Sequence, residues 1–364
     1  MKSFIKKENI KCIILILVFS LLLFSSFGIA APGEITVHFI DVGKGDAILI
    51  QSQEVNILID GGDRWGWVVE EFVSYLSGQG VKTIDAIVST HPHTDHIGGL
   101  LAVIKKFQVK AVYDSGKIHT SKTFEDYMLL IDEKEITYYT PRRGETLNIG
   151  DLELLVLHPV DDVEQYSLNN ASIVLRLEYG NISFLFTGDA DRRVEQEILH
   201  SGLPIKSTVL KVGHHGTKTS SSGAFLNQVN PEVAVIQVWK ALRFFLPHPK
   251  VLCALKSRGI KVYRNDLHGT VVISTDGNQY WVEVEEKTQP RAPPVDKDDK
   301  KININTASST ELQKSPGIGP DIAQRIIDYW KTHRPFQKIE DTKNISGIGE
   351  ARFEQIKDYI KVVD

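Results

Sequence analysis

From residue 34 onward the apolar positions come in short β-branched runs broken by turn residues. EITVHFIDVG, AILIQS, NILIDGG and IDAIVST are continuous or alternating in hydrophobicity and carry Gly, Asp or Ser near their ends. That pattern predicts buried strands. Helical spacing appears between them, in WVVEEFVSYLSGQG, closed by glycines, and in LLAVIKKFQ. The rhythm then recurs. LELLVLHP, ASIVLRLEYG, ISFLFTGD, STVLKVGHHG and VAVIQV read as a second strand series, with RVEQEILHSG and PKVLCALKSRG as helices. Strands interleaved with helices in two successive halves predict a layered α/β sandwich over 34–285.

Two stretches fall outside this rhythm. Residues 1–30 pair a basic start (Lys2, Lys6, Lys7, Lys11) with the apolar run CIILILVFSLLLF and the small-x-small triplet Gly28-Ile29-Ala30. This is the tripartite pattern of a secretory signal peptide. The same run, Cys12 to Ala31, is also about long enough for a single membrane tether. Either reading places the rest of the chain outside the cytoplasm, secreted or at the cell surface. At the other end, EEKTQPRAPPVDKDDKK is charged, proline-bearing and aperiodic, and 286–301 reads as a linker. Beyond it, 302–364 holds two copies of one signature, SPGIGPDIAQRII and ISGIGEARFEQI.

Charge narrows the choices. The formal net charge of −4 excludes a simple polycationic binder, so any nucleic-acid contact must come from local geometry. Residues 302–364 carry nine Lys and Arg against nine Asp and Glu. Two cysteines, Cys12 and Cys253, give no disulfide framework.

The densest chemistry is STHPHTDHIGG, with His91, His93, Asp95 and His96 in six positions of a chain that has 12 histidines. In an extended segment residues two apart point the same way, so His91 and His93 converge on one ion. Asp95 and His96 enter the next helix and face a neighbouring position. Neutral imidazole with carboxylate suits zinc first and manganese or iron next. Two such ions, about 3.5–4 Å apart, clamp a phosphoryl group and generate a hydroxide nucleophile. A binuclear site needs further ligands, and the second strand series offers them: Asp189 after ISFLF, then His214 and His215 after VLKV.

This series, HxHxDH, then Gly-Asp after a strand, then a strand-ending His, resembles that of the metallo-β-lactamase superfamily. The resemblance covers 34–285 and implies a four-layered αβ/βα sandwich with a binuclear site on its edge. It implies His91 and His93 at the first metal, Asp95, His96 and His214 at the second, and Asp189 shared. His214 is preferred to His215, which is left as a substrate contact or hydrogen-bond partner; Asp95 doubles as a catalytic carboxylate. The superfamily's third histidine for the first metal is missing. SLNNASIVLRL stands there, leaving Asn170 as a substitute ligand or His158, twelve residues earlier, through a long loop. Asp41, Lys44 and Asp46 in DVGKGDA read as partners behind the ligands or as a plain turn. Lys218 and Ser220–Ser222 read as phosphate contacts or surface, and His248 and His268 as late general-acid candidates or surface residues.

FIDVGKGDAILIQ, LIDGG, NNASIVLRLEYG, LKVGHHGTKTSSS and KVYRNDLHGTVVISTDG together look like the C-terminal domain of ComEC-type competence proteins. The tail is similar to the helix-hairpin-helix module of ComEA-type DNA receptors, a small all-α domain. Gly317-Ile318-Gly319 and Gly347-Ile348-Gly349 would each form a tight hairpin whose amides grip phosphate oxygens without reading bases. Lys314, Arg325 and Lys343 would add a few side-chain contacts. These resemblances imply an exported, metal-dependent phosphodiesterase acting on DNA, in DNA uptake or extracellular DNA degradation, with no obligate protein partner. Two alternatives stay open: hydrolysis of a small ester, lactam or thioester, and a non-catalytic DNA-binding surface protein.

Overall fold

The structure, a computed structural model, describes residues 33–239, 246–285, 301–305, 307–333, 336 and 338–362. The apolar leader and almost all of the linker lie outside the described residues. The chain divides into two compact units, Met1–Pro290 and Arg291–Asp364.

In the first unit the strands are β1 Ile35–Phe39, β2 Ile48–Gln51, β3 Asn56–Ile59, β4 Thr83–Ile84, β5 Ala86–Ser89, β6 Gln108–Val109, β7 Ala111–Asp114 and β8 Thr137–Tyr139. They continue as β9 Thr146–Ile149, β10 Leu152–His158, β11 Val174–Tyr179, β12 Ile182–Phe186, β13 Val209–Lys211, β14 Val233–Ile236, β15 Lys261–Arg264, β16 Val271–Thr275 and β17 Tyr280–Val284. One sheet runs β17-β16-β1-β2-β3-β5-β7-β8 and the other β15-β14-β13-β12-β11-β10-β9. Within each, one half is parallel: β3, β5, β7 and β8 in the first, and β12 to β15 in the second.

Strand periodicity assigns each side chain to a layer. In β1, β2 and β3 the residues Ile35, Val37, Phe39, Ile48, Ile50, Ile57 and Ile59 enter one core, which they share with Leu154, Leu175, Phe184, Phe186, Val209 and Val233 of the facing sheet. Their alternates Leu49 and Leu58 point the other way, onto Phe72, Leu76, Leu100 and Val103 of the helices that cover the first sheet. Leu185, Leu210 and Ala234 likewise meet Val194, Ile198, Leu226 and Leu255 on the far side of the second sheet. The result is helix, sheet, sheet, helix, as two-sided burial of parallel strands demands. Each buried Val, Leu, Ile or Phe contributes about 1.5–3 kcal/mol of transfer free energy, so register is strongly enforced.

Some helices follow the periodicity closely, including Gly66–Gly78, Leu100–Lys106, Arg192–His200 and Pro249–Lys256. Lys122–Glu133 was not evident in that pattern; it is started by Ser121, whose hydroxyl accepts from Phe124 N, and it buries Phe124, Tyr127 and Leu130.

The second unit is helical. Ser309–Leu312, Pro320–His333 and Glu350–Ile356, with a 3-10 helix at Ile339–Asn344, surround Ile318, Ile322, Ile326, Ile348 and Phe353, and a two-stranded ladder, β18 Ile302–Asn303 with β19 Ile360–Lys361, ties its ends.

Candidate metal centre

Parallel strands discharge their C-terminal ends on one edge of the sandwich, and the functional side chains sit there. β5 leads into His91, His93, Asp95 and His96, β12 into Asp189, β13 into His214 and His215, and β3 into Asp60. Among the described residues four groups of side chains have metal-holding geometry: His91, His96 and Asp189; Asp95, His96 and His215; Asp46, Asp189 and His215; Asp46, Asp60 and His96.

Asp189 is the hub. Its Oδ2 lies 3.4 Å from His96 Nε2, 3.5 Å from His215 Nε2 and 3.9 Å from His91 Nε2. His91 Nε2 and His93 Nδ1 are 3.0 Å apart. Asp95 Oδ2 is 3.9 Å from His215 Nε2.

Hydrogen bonds behind these groups fix which nitrogen faces inward. The hydroxyl of Ser172 donates to Asn169 O at 2.7 Å, so it accepts from His91 Nδ1 at 3.3 Å and from Asp189 N at 3.0 Å. His96 Nδ1 donates to Asp60 Oδ2 at 2.7 Å, while Thr90 N and Oγ1 donate to the same carboxylate at 2.8 and 2.7 Å. His215 Nδ1 donates to Gln237 O at 3.0 Å and lies 3.3 Å from Asp46 Oδ1. Each ring is thereby left with Nε2 toward the cluster, the tautomer that binds metal. His96 Nε2 and His215 Nε2 are buried and have no hydrogen-bond partner.

The electrostatics agree. Burial opposes protonation of His96, yet Asp189 and Asp60 on its two sides outweigh it and hold its pKa well above the usual histidine range. Burial opposes it at His215 too, but Asp189 and Asp46 push that pKa up to about 10. Burial disfavours the charged form of Asp189, and His215 and His96 overcome it, keeping its carboxyl well below the usual range. Burial instead lowers the pKa of His91, His93 and His214, so the pull of the carboxylates for positive charge is concentrated at His96 and His215. With inward-facing imidazole nitrogens and carboxylates, the pocket's donor set fits divalent ions of the zinc or manganese kind.

Several expectations are corrected. The groups with metal-holding geometry contain His215 and not the expected His214. Both occupy left-handed backbone, φ 49° and 53°, and this paired turn swings the second ring inward. His214 Nε2 lies 3.8 Å from Asp189 Oδ2, as near as His91, but it accepts from Asn169 Nδ2 at 3.1 Å. The Oδ1 of Asn170, the atom expected to substitute as a ligand, instead accepts from Asp191 N at 3.0 Å. His158 does not replace it either; fully buried, it bonds Asn170 O at 2.8 Å. His268 is a local brace: its Nδ1 accepts from Arg264 N at 3.0 Å and its ring packs on Tyr263. His248 caps its helix by accepting from Lys250 N. Of the serine run, Ser220 donates to Gly213 O and the amides of Ser221 and Ser222 are held by Glu195.

Three participants escaped the sequence reading: Asp60, Ser172 and Lys211. Lys211 is 1% exposed, pairs with Asp46 and donates to Gly188 O at 3.0 Å. A lysine within the apolar strand VLKV was the available signal.

The profile of the Metallo-beta-lactamase superfamily matches residues 40–238, more than half of the chain. The chain belongs to the metallo-β-lactamase superfamily. A helix-hairpin-helix motif matches 297–361. Among curated proteins the chain is similar to ComE operon protein 3 of Bacillus subtilis, with 34% identity over 260 residues, 67% of this chain and 33% of that protein. It is similar to competence protein ComA of Neisseria gonorrhoeae at 30% over 244 residues, 65% of this chain and 32% of that one. The chain thus spans about a third of the length of these relatives. Its tail is 51% identical over 61 residues to ComE operon protein 1 of Bacillus subtilis, 17% of this chain and 30% of that protein. The superfamily implies divalent metal binding, and the cluster around Asp189 is where this chain would hold it.

In the helical unit the two hairpins are equivalent turns: Ile318 N donates to Ser315 O at 3.1 Å and Ile348 N to Ile345 O at 2.9 Å. Ile318 and Ile348 are buried, 4% and 1% exposed, while Gly319 and Gly349 are exposed. Arg325 donates to Ser346 O at 2.9 Å, and Lys343 pairs with Glu350 at 2.8 Å, so both cations are engaged beside the second hairpin.

Proposed function

We propose that this chain is a metal-dependent phosphodiesterase that cleaves DNA outside the cytoplasm. One juxtaposition carries the reading: imidazole nitrogens of His91, His93, His96 and His215 converge with Asp95 and Asp189 in a chain that also bears a helix-hairpin-helix motif. His91, His93 and Asp189 would hold one ion and Asp95, His96, His215 and Asp189 the other. Such a pair, when bound, supplies a nucleophile at neutral pH and offsets charge on the phosphoryl oxygens.

The residues around the pocket do the rest. Asp60 and Ser172 fix the His96 and His91 tautomers. Gln237 O does so for His215, with Asp46, held by Lys211, beside the same nitrogen. His214, 26% exposed and 3.8 Å from Asp189, would contact substrate. In the tail the exposed hairpin glycines Gly319 and Gly349 would let backbone amides meet phosphate oxygens, and tethering raises local substrate concentration without new catalytic contacts. The relatives' competence names favour a role in DNA uptake, and the leader, as signal or tether, would place the protein at the cell surface.

The test is cleavage of plasmid and single-stranded DNA by the purified protein supplied with zinc or manganese. Activity should vanish in the Asp95→Ala, His96→Ala double variant. Turnover of a thioester or lactam with no DNA cleavage would favour small-molecule hydrolysis instead, and DNA binding in gel shifts without cleavage under either metal would favour a non-catalytic binder.

A further inference from the structure

Lys44 stands between two glycines in a turn pressed against the segment that carries Asp95. A Cβ added at Gly45, where φ is +102°, would lie 1.7 Å from the Asp95 carbonyl oxygen, so the approach requires glycine. Asp46 N donates to that same oxygen at 3.3 Å, and Asp63 N donates to Lys44 O at 3.2 Å. The backbone of Lys44 is therefore fixed with respect to a candidate metal ligand.

Its side chain is about half exposed, 47%, and its ammonium lies 3.4 Å from Asp95 Oδ2 and 3.6 Å from Asp63 Oδ2. Asp95 Oδ2 is the atom that faces His215 Nε2. A cation at that spot is repelled by divalent ions in the cluster and should weaken their binding. Asp63 offsets this in part: it is buried, belongs to none of the metal-holding groups, and keeps the ammonium at the rim when Asp95 is engaged. A fixed positive charge at the mouth of a cationic centre is useful when the incoming group is an anion.

We infer that Lys44 is a substrate-contact residue that binds a non-bridging oxygen of the scissile phosphodiester and so selects anionic over neutral substrates. The inference rests on the phosphodiesterase reading above.

The experiment compares the full chain, Lys44→Met and Lys44→Arg, each loaded with manganese. Readouts are hydrolysis of bis(p-nitrophenyl) phosphate and of neutral p-nitrophenyl acetate, metal affinity by competition, and calorimetric titration with inorganic phosphate. Loss of one charge-assisted hydrogen bond should raise KM for the phosphodiester about 10- to 100-fold in Lys44→Met, with partial recovery in Lys44→Arg. Neutral-ester kinetics should hold, and metal affinity should stay equal or tighten. Weakened metal binding with an unchanged phosphodiester KM would overturn the inference and make Lys44 a support for Asp95. If the unaltered protein turns over no phosphodiester, the phosphodiesterase reading fails, and the phosphate titration still judges Lys44. Equal phosphate affinity in the unaltered protein and Lys44→Met then sinks the inference, and loss in the variant alone upholds an anion site.

Discussion

The sandwich and the helical tail build their candidate sites in opposite ways. In the tail each hairpin is a contiguous Gly-Ile-Gly turn whose isoleucine anchors it locally, and the whole device fits within about a dozen residues. In the sandwich the metal-holding side chains are distributed from Asp46 to His215 and meet only because β3, β5, β12 and β13 end on one edge. A local motif tolerates change elsewhere in the chain. A convergent one inherits every error in sheet register and every missing partner behind its ligands.

The largest expected effect separates the two regions. Asp189→Ala should remove metal binding and cut DNA cleavage by at least about a thousandfold, while DNA affinity measured by gel shift stays within a few-fold of the parent. A parallel loss of affinity would show that the regions do not act independently.

Acid should strike the sandwich first. Burial lowers the pKa of His38 and of His158 to about 4 in the folded chain. Both are neutral when folded and take up a proton on unfolding. Between about pH 6.5 and 4 the unfolded state therefore binds more protons, and stability falls as pH drops through that window. Each contributes up to roughly 3 kcal/mol of this loss. Urea denaturation at pH 7 and pH 4.5 measures it, and an unchanged midpoint would mean that these rings are hydrated.

A change behind the site should be felt in front of it. Lys211→Met removes the counter-charge of Asp46 and should weaken metal binding by about 10- to 100-fold, read by competition with a chelating dye. The Lys211→Met, Asp46→Asn pair, which leaves no buried lone charge, should fold as stably as the parent. The smallest effect belongs to the local device. Gly347 has φ +96°, and a Cβ there would meet Ile322 Cδ1 at 2.8 Å. Gly347→Ala should cost the tail about 1–2 kcal/mol in thermal unfolding and leave metal content untouched.

Much of this was legible in the sequence for a physical reason. His91, His93, Asp95 and His96 are crowded because consecutive residues at a strand-to-helix turn reach one space, and crowding survives in one dimension. Asp189 was legible as an acid at the end of an apolar strand. The choice between His214 and His215 was not legible because both sit in left-handed backbone, a conformation that the letters of two histidines do not announce. Asn170 failed because its amide oxygen is spent on Asp191 N, a bond made only when the two loops meet.

The sequence by itself determined the layers of the sandwich, the strand-ending acids and imidazoles, and the repeated hairpins. Each of these depends on periodicity or on neighbours within a few residues. The tertiary structure alone decided how the two adjacent histidines sit against Asp189, His215 at 3.5 Å and His214 at 3.8 Å, and that Asp60, Ser172 and Lys211 lie behind them. Those choices depend on contacts between segments far apart in the chain, such as Ser172 with His91 and Lys211 with Asp46, and long-range contacts leave no periodic trace in the chain.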